Sequence, residues 1–227
     1  MYRLVDPERT GGLAPLDRRV APGTSLLVAG PVMTRKERLV AAILAPGHAA
    51  GEGVAMVSTE DHADAIEDRF AEFVDVDESR FGLVDCTGQS SSEALSGSGR
   101  VQHVSSPNDL TGVGIGITRA LESLSVRGDG YRLGLDSLST LLAYRSPEDV
   151  FKFCHVLATR LASLGCVSVH TLDTDAHDDR TVNMIARAFD GRIDLRQAPG
   201  EASHGRPYEL RLRGFDGGVG WQPAALP

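Results

Sequence analysis

Apolar runs of about five residues alternate with longer segments whose apolar positions recur at helical spacing, and the alternation continues along nearly the whole chain. Ser25 to Ala29, Val54 to Ser58, Phe81 to Asp85, Leu133 to Asp136, Val167 to Thr171, Arg192 to Arg196 and Glu209 to Arg213 read as strands. Between them, Lys36 to Leu44, His62 to Phe70, Asp109 to Ser125, Glu148 to Leu164 and Asp179 to Phe189 read as helices. The clearest is Glu148 to Leu164, where Val150, Phe153, Cys154, Leu157, Leu161 and Leu164 mark one face. Asn108 or Asp109 is placed to cap the third helix and Asp178 the last. Strands alternating with helices predict an α/β fold, a mainly parallel central sheet flanked by crossover helices. Neither a repeat nor an interdomain linker breaks the pattern, so residues 1–227 are expected to form one domain. Gly88 to Gly99, with eight Ser or Gly among twelve residues, reads as a mobile loop.

Composition narrows the setting. Asp and Glu number 31 against 23 Lys and Arg, a net charge of −8, and Lys36 and Lys152 are the only lysines. Arginine in place of lysine on an acidic chain fits a GC-rich, salt-adapted source as well as an ordinary acidic protein. An acidic surface opposes phosphate backbones, so nucleic acid is not the expected partner. Arg206, Arg211 and Arg213 are the one local basic strip. Arg211 and Arg213 share a strand face, and a solvated edge strand accounts for them. Cys86, Cys154 and Cys166 form no C-x-x-C pair and no even set, so a reducing cytoplasm is expected rather than a disulfide framework. No signal peptide and no apolar run of membrane-spanning length stands out.

The candidate chemistry lies between the first long strand and its helix. Gly30, Pro31, Val32, Met33, Thr34, Arg35, Lys36 and Glu37 have the layout of a phosphate-binding loop, G-x-x-x-x-G-K-[ST]. Gly30 and Lys36 stand where the pattern requires them, whereas Arg35 replaces the second Gly and Glu37 the Ser/Thr. In an intact loop the backbone N–H groups and the Lys hold phosphate while the hydroxyl helps hold Mg²⁺. Arg35 lacks a glycine's freedom to adopt positive φ, and Glu37 places a carboxylate where a phosphate would approach.

Two further segments extend the pattern. Tyr131 to Thr140 is a short strand ending on Asp136 and then on hydroxyl residues, a Walker B shape. Gly53 to Asp61 is a strand closing on Glu60 and Asp61. Together with Gly12 to Asp17, Pro22 to Gly30, Thr171 to Thr181 and Tyr208 to Gly214, these stretches resemble the KaiC/RecA superfamily of P-loop ATPases, in particular the single-domain KaiC-like proteins of archaea, the haloarchaeal type among them. The likeness runs over about residues 11–222. It implies a RecA-like P-loop NTPase core with antiparallel C-terminal strands and ATP with Mg as the ligand. It also implies Lys36 as phosphate clamp, Glu60 as water-activating base and Asp136 as Mg²⁺ partner.

Other patterns have plainer readings. Gly112, Gly114 and Gly116 mimic a dinucleotide fingerprint but lack the preceding strand, so close helix packing is expected. Asp173, Asp175, His177, Asp178 and Asp179 lack the Gly and Glu of an EF-hand and read as a solvated loop with a helix cap. The seven histidines show no ligand spacing, and Ser137 and Ser139 have no visible His–Asp partners. The leading expectation is therefore a KaiC-like regulatory or signalling module, a pseudo-ATPase whose nucleotide site is weak or vestigial. It would work through a protein partner or a homo-oligomer. The competing readings are an active ATPase that remodels an oligomer or partner, as in recombinase paralogues of DNA repair, and a purely structural subunit.

Overall fold

Two central strands are apolar on both faces, which only a sheet covered from both sides can accommodate. They are β3 (Ser25–Gly30) and β4 (Gly53–Ser58), buried at every position. The computed structural model describes residues 1–6, 13–88, 100–126, 130–198, 207–215, 218 and 220–226. The remaining strands are β1 (Tyr2–Arg3), β2 (Arg19–Val20), β5 (Phe81–Asp85), β6 (Val101–His103), β7 (Tyr131–Asp136), β8 (Val167–Asp173), β9 (Gly191–Gln197), β10 (Tyr208–Arg213) and β11 (Gln222–Ala224). The helices are α1 (Lys36–Ala49), α2 (Ala63–Ala71), α3 (Leu110–Ser123), α4 (Leu138–Tyr144), α5 (Pro147–Ser163) and α6 (Asp179–Ala186).

Nine strands form one sheet in the order β11-β10-β9-β3-β8-β7-β4-β5-β6, and β1 and β2 pair separately. From β9 to β6 every pairing is parallel, while β9–β10 and β10–β11 are antiparallel. The expected sheet class and its antiparallel C-terminal strands are both present. One core lies between the sheet and α1 and α2, including Leu39, Ile43, Phe70 and Phe81. The other lies beneath α3 to α6, including Ile117, Leu133, Leu157 and Ile185. Cys86, Cys154 and Cys166 are free and buried in that second core, and burial pushes the Cys86 and Cys154 thiols up to about 12.

The differences from the sequence pattern have local causes. α1 continues to Ala49, past the expected end at Leu44 and through Pro46. In the final turn, Pro46 forfeits a single backbone bond, and its carbonyl still accepts from the Ala50 N–H. A Cβ at neighbouring Gly47 would lie 2.1 Å from Arg132 Nε. Its absence admits the buried Arg132, which reaches Glu52 at 2.8 Å and the Ile43 carbonyl. β1, β2, β6, β11 and α4 are too short to generate a periodic signal. The expected mobile loop lies, apart from Gly88, outside the described residues.

Candidate functional site

The carboxyl ends of β3, β4, β7 and β8 converge, and the sequence-derived candidates meet there. The pairing register sets Gly30 beside Asp173 and Ser58 beside Asp136. The loop from Gly30 to Glu37 turns directly into α1, and a Cβ at Gly30 would stand 2.4 Å from the Leu195 carbonyl oxygen. Arg35 takes φ 57 and ψ 39, the left-handed conformation, and Met33 has φ 64. Two non-glycine residues thus hold the positive φ that favours glycine, a conformation that costs about 1–3 kcal/mol at each such position.

Lys36 does not reach outward. Its side chain is buried, and its ammonium donates to the Pro31 carbonyl at 2.6 Å and to Thr34 Oγ1 at 3.3 Å, and it pairs with Asp173 Oδ1 at 2.7 Å. Three donors meet three acceptors. Thr34 in turn donates to the Pro31 carbonyl at 2.7 Å. The Val32 backbone N–H, a group that would face a phosphate, donates to Asp175 Oδ1 at 2.9 Å. Two carboxylates, Asp173 at the end of β8 and Asp175 just beyond it, therefore sit on the cation and on an amide of the loop. The sequence showed both acids but gave no reason to join them to residues so far back in the chain.

Asp136 ends β7 and accepts a hydrogen bond from Thr171 Oγ1. Loss of hydration raises its carboxyl to about 6; the Thr171 bond and the Arg69 charge oppose the rise, while the Glu37 and Glu60 charges add to it. Glu60 is exposed, with Oε1 accepting from Ser137 Oγ at 3.2 Å and from Thr140 Oγ1. Thr59 Oγ1 accepts from the Ser137 N–H at 2.9 Å and so ties β4 to the end of β7. The adjacent Asp61 pairs with Arg69. Hence Lys36, Glu37, Glu60 and Asp136 do share one end of the sheet. Among the described residues no group of His, Cys, Asp or Glu has the geometry of a metal cluster.

The plainer readings also find their places. A Cβ at Gly116 would lie 2.8 Å from Val84, so that glycine lets α3 sit close on β5. Asp109 and Asp178 cap α3 and α6, accepting from the Gly112 and Thr181 N–H groups. Arg211 and Arg213 share a face as expected, but β10 is flanked by β9 and β11 and is not an edge. Both arginines, with Arg192, bind the buried Asp194. Arg196 and Arg211 lie over the Trp221 ring at 4.0 and 4.6 Å. Arg206 lies outside the described residues.

The profile of a family of unknown function, DUF7504, matches residues 23–195, and the chain belongs to that family. No curated protein matches it. Among solved structures, the chain is similar to a KaiC-like protein from the hyperthermophilic archaeon Pyrococcus horikoshii OT3. The TM-score is 0.63 at 16% identity, with 93% of this chain and 85% of that one covered. The fold is accordingly that of a KaiC-like, RecA-type module. Among the described residues no helix is long and apolar enough to cross a membrane.

Proposed function

We propose that this DUF7504 member is a cytoplasmic regulatory or interaction module on a RecA-type core, with ATP binding at the β3–α1 loop weak or vestigial. The observation that carries the reading is the internal satisfaction of Lys36 and of the Val32 N–H by Asp173 and Asp175. A carboxylate is an oxyanion, as a phosphate is, so these two acids compete with a nucleotide for the same donors. Mg-ATP fits the loop only with both withdrawn, and Glu37 adds like charge at the head of α1. Val32 and Met33, 49% and 85% exposed at the tip of the loop, support a role in protein contact, with a partner or with a second copy.

Calorimetric titration of the full chain with Mg-ATP tests this, in dilute buffer and again in molar KCl. The expected parent Kd is about 1 mM or weaker. Two variants should bind at least about tenfold tighter, equivalent to about 1.4 kcal/mol: Asp173→Asn with Asp175→Asn, and Arg35→Gly with Glu37→Thr. Micromolar binding by the parent, with turnover near ~1 s⁻¹ that Glu60→Gln abolishes, would install the active-ATPase reading instead. If neither variant binds nucleotide while circular dichroism shows both folded, the loop is not a phosphate site.

A further inference from the structure

On the opposite side of the sheet, α3 covers β4, β5 and β6 while α5 covers β8. The strand between, β7, is where the two helices part. The gap is a groove of about 710 Å³, inside the ~300–1,000 Å³ range of small-molecule sites. Its walls are aliphatic and aromatic: Ile117 and Leu121 from α3, Phe153, Leu157 and Leu161 from α5, and Tyr131 at one end. Gly114 faces it, and a Cβ there would meet nothing within 4 Å. Val156, 66% exposed on the α5 wall, carries the apolar surface out to the rim.

Charge is confined to one end. α3 and α5 both run antiparallel to the parallel strands they precede, so their C-terminal halves point to the same end of the sheet. Arg119, in the C-terminal half of α3, and Arg160, in the last turn of α5, line the groove. Neither guanidinium has a hydrogen-bond or ion-pair partner among the described residues. Among the described residues Glu122 is the one carboxylate on the same walls. Three other arginines of this acidic chain bind a single acid, Asp194. Two forks without a partner among the described residues, beside an apolar trough, match an amphiphile with a planar, bidentate anionic head. The α3 wall, from Leu110 to Glu122, is about 18 Å long at 1.5 Å per residue.

We propose that the α3–α5 groove binds a single-chain carboxylate, its aliphatic chain along Ile117, Leu121, Leu157 and Leu161 and its head at Arg119 and Arg160. The test uses the full chain and dodecanoate below its micelle concentration. It is followed by calorimetry and by proton–nitrogen NMR shifts, with dodecylammonium, dodecanol and an acidic amphipathic peptide as comparison probes. Dodecanoate should bind with micromolar Kd and shift amides of α3 and α5. Dodecylammonium, dodecanol and the peptide should bind at least about tenfold more weakly. Arg119→Glu with Arg160→Glu should weaken dodecanoate at least tenfold while leaving circular dichroism unchanged. Gly114→Leu, which fills open space and favours the helix, should weaken dodecanoate equally. The proposal is overturned if dodecanoate does not bind, if the three head groups bind alike, if Gly114→Leu retains parental affinity, or if the acidic peptide binds best. The last outcome would make the groove a helix-docking site.

Discussion

Asp136 holds its proton into the neutral range because burial removes hydration and Glu37 and Glu60 bring two more negative charges to bear. Its folded value of about 6 lies above the ordinary 3.8. Its contribution to stability is therefore complete below pH 3.8 and is lost as pH rises through 6. Asp136→Asn should stabilise the fold at pH 7.5 by roughly 2–3 kcal/mol and have no such effect near pH 3.5, as urea denaturation at the two pH values will show. His170 works the other way. It is buried against Phe189 with neither ring nitrogen hydrogen-bonded, and burial lowers it to about 3 from 6.5. Stability is complete above pH 6.5 and falls as acid charges the unfolded imidazole, by at most about 1.4 kcal/mol per pH unit. His170→Leu should flatten the loss between pH 6.5 and 4, read as a change in the pH slope of the urea midpoint. A parental slope in the variant would mean that other groups govern acid unfolding. Both effects occupy one pH window with opposite signs, so each needs its own variant.

Elements are fastened to one another by a few polar contacts that cross the apolar layers. Arg132 of β7 is fully buried, lies over the Tyr2 ring at 5.8 Å and bonds to Glu52, which follows α1. A buried pair is weak evidence for net stability, yet removing one member leaves an uncompensated charge. Glu52→Ala should cost about 3–5 kcal/mol, measured by urea denaturation, whereas Arg132→Met with Glu52→Leu should recover most of that loss. His48 has a comparable role: its Nε2 accepts from the Asp77 N–H at 2.8 Å while its ring meets Phe70 and Phe81 edge-on. Desolvation lowers its basicity, and the nearby Arg80 charge lowers it further. Helices α3 to α6 are started by short polar residues, as with Ser146, whose Oγ accepts from the Asp149 N–H at the head of α5.

For the molecule as a whole, charge decides which partners are admissible. The net charge is −8, and the Arg211–Arg213 strip that favours phosphate is neutralised in part by Asp194. Trp221 nonetheless joins Arg196 and Arg211 in an aromatic and basic cluster, a combination that single-strand binders use. Pairing should prevail: no retardation of duplex or single-stranded DNA is expected at micromolar protein and low ionic strength, the condition most permissive for phosphate contacts. Circular dichroism in the same buffer must show the chain folded. Retardation that disappears in Arg211→Glu with Arg213→Glu would move the recombinase-like reading to the front.

The sequence by itself determined the α/β class, the identity and order of the long strands and helices, and caps at Asn108 or Asp109 and at Asp178, the structure choosing Asp109. Apolar periodicity and capping are local properties, legible within a window of a few turns. The resemblance carried by the sequence motifs implied that Gly30 to Glu37, Glu60 and Asp136 belong to one site, and neighbouring parallel strands end with these segments at one edge of the sheet. The partners of those residues were decided by the tertiary structure. Asp173 and Asp175 reach Lys36 and Val32 only because β8 lies next to β3, and Trp221 meets Arg196 only because β10 and β11 fold back beside β9. The close approach of the buried Arg132 to Gly47 in α1 belongs to the same class. Contacts between residues far apart in sequence depend on strand order and packing, and neither is written in a local pattern.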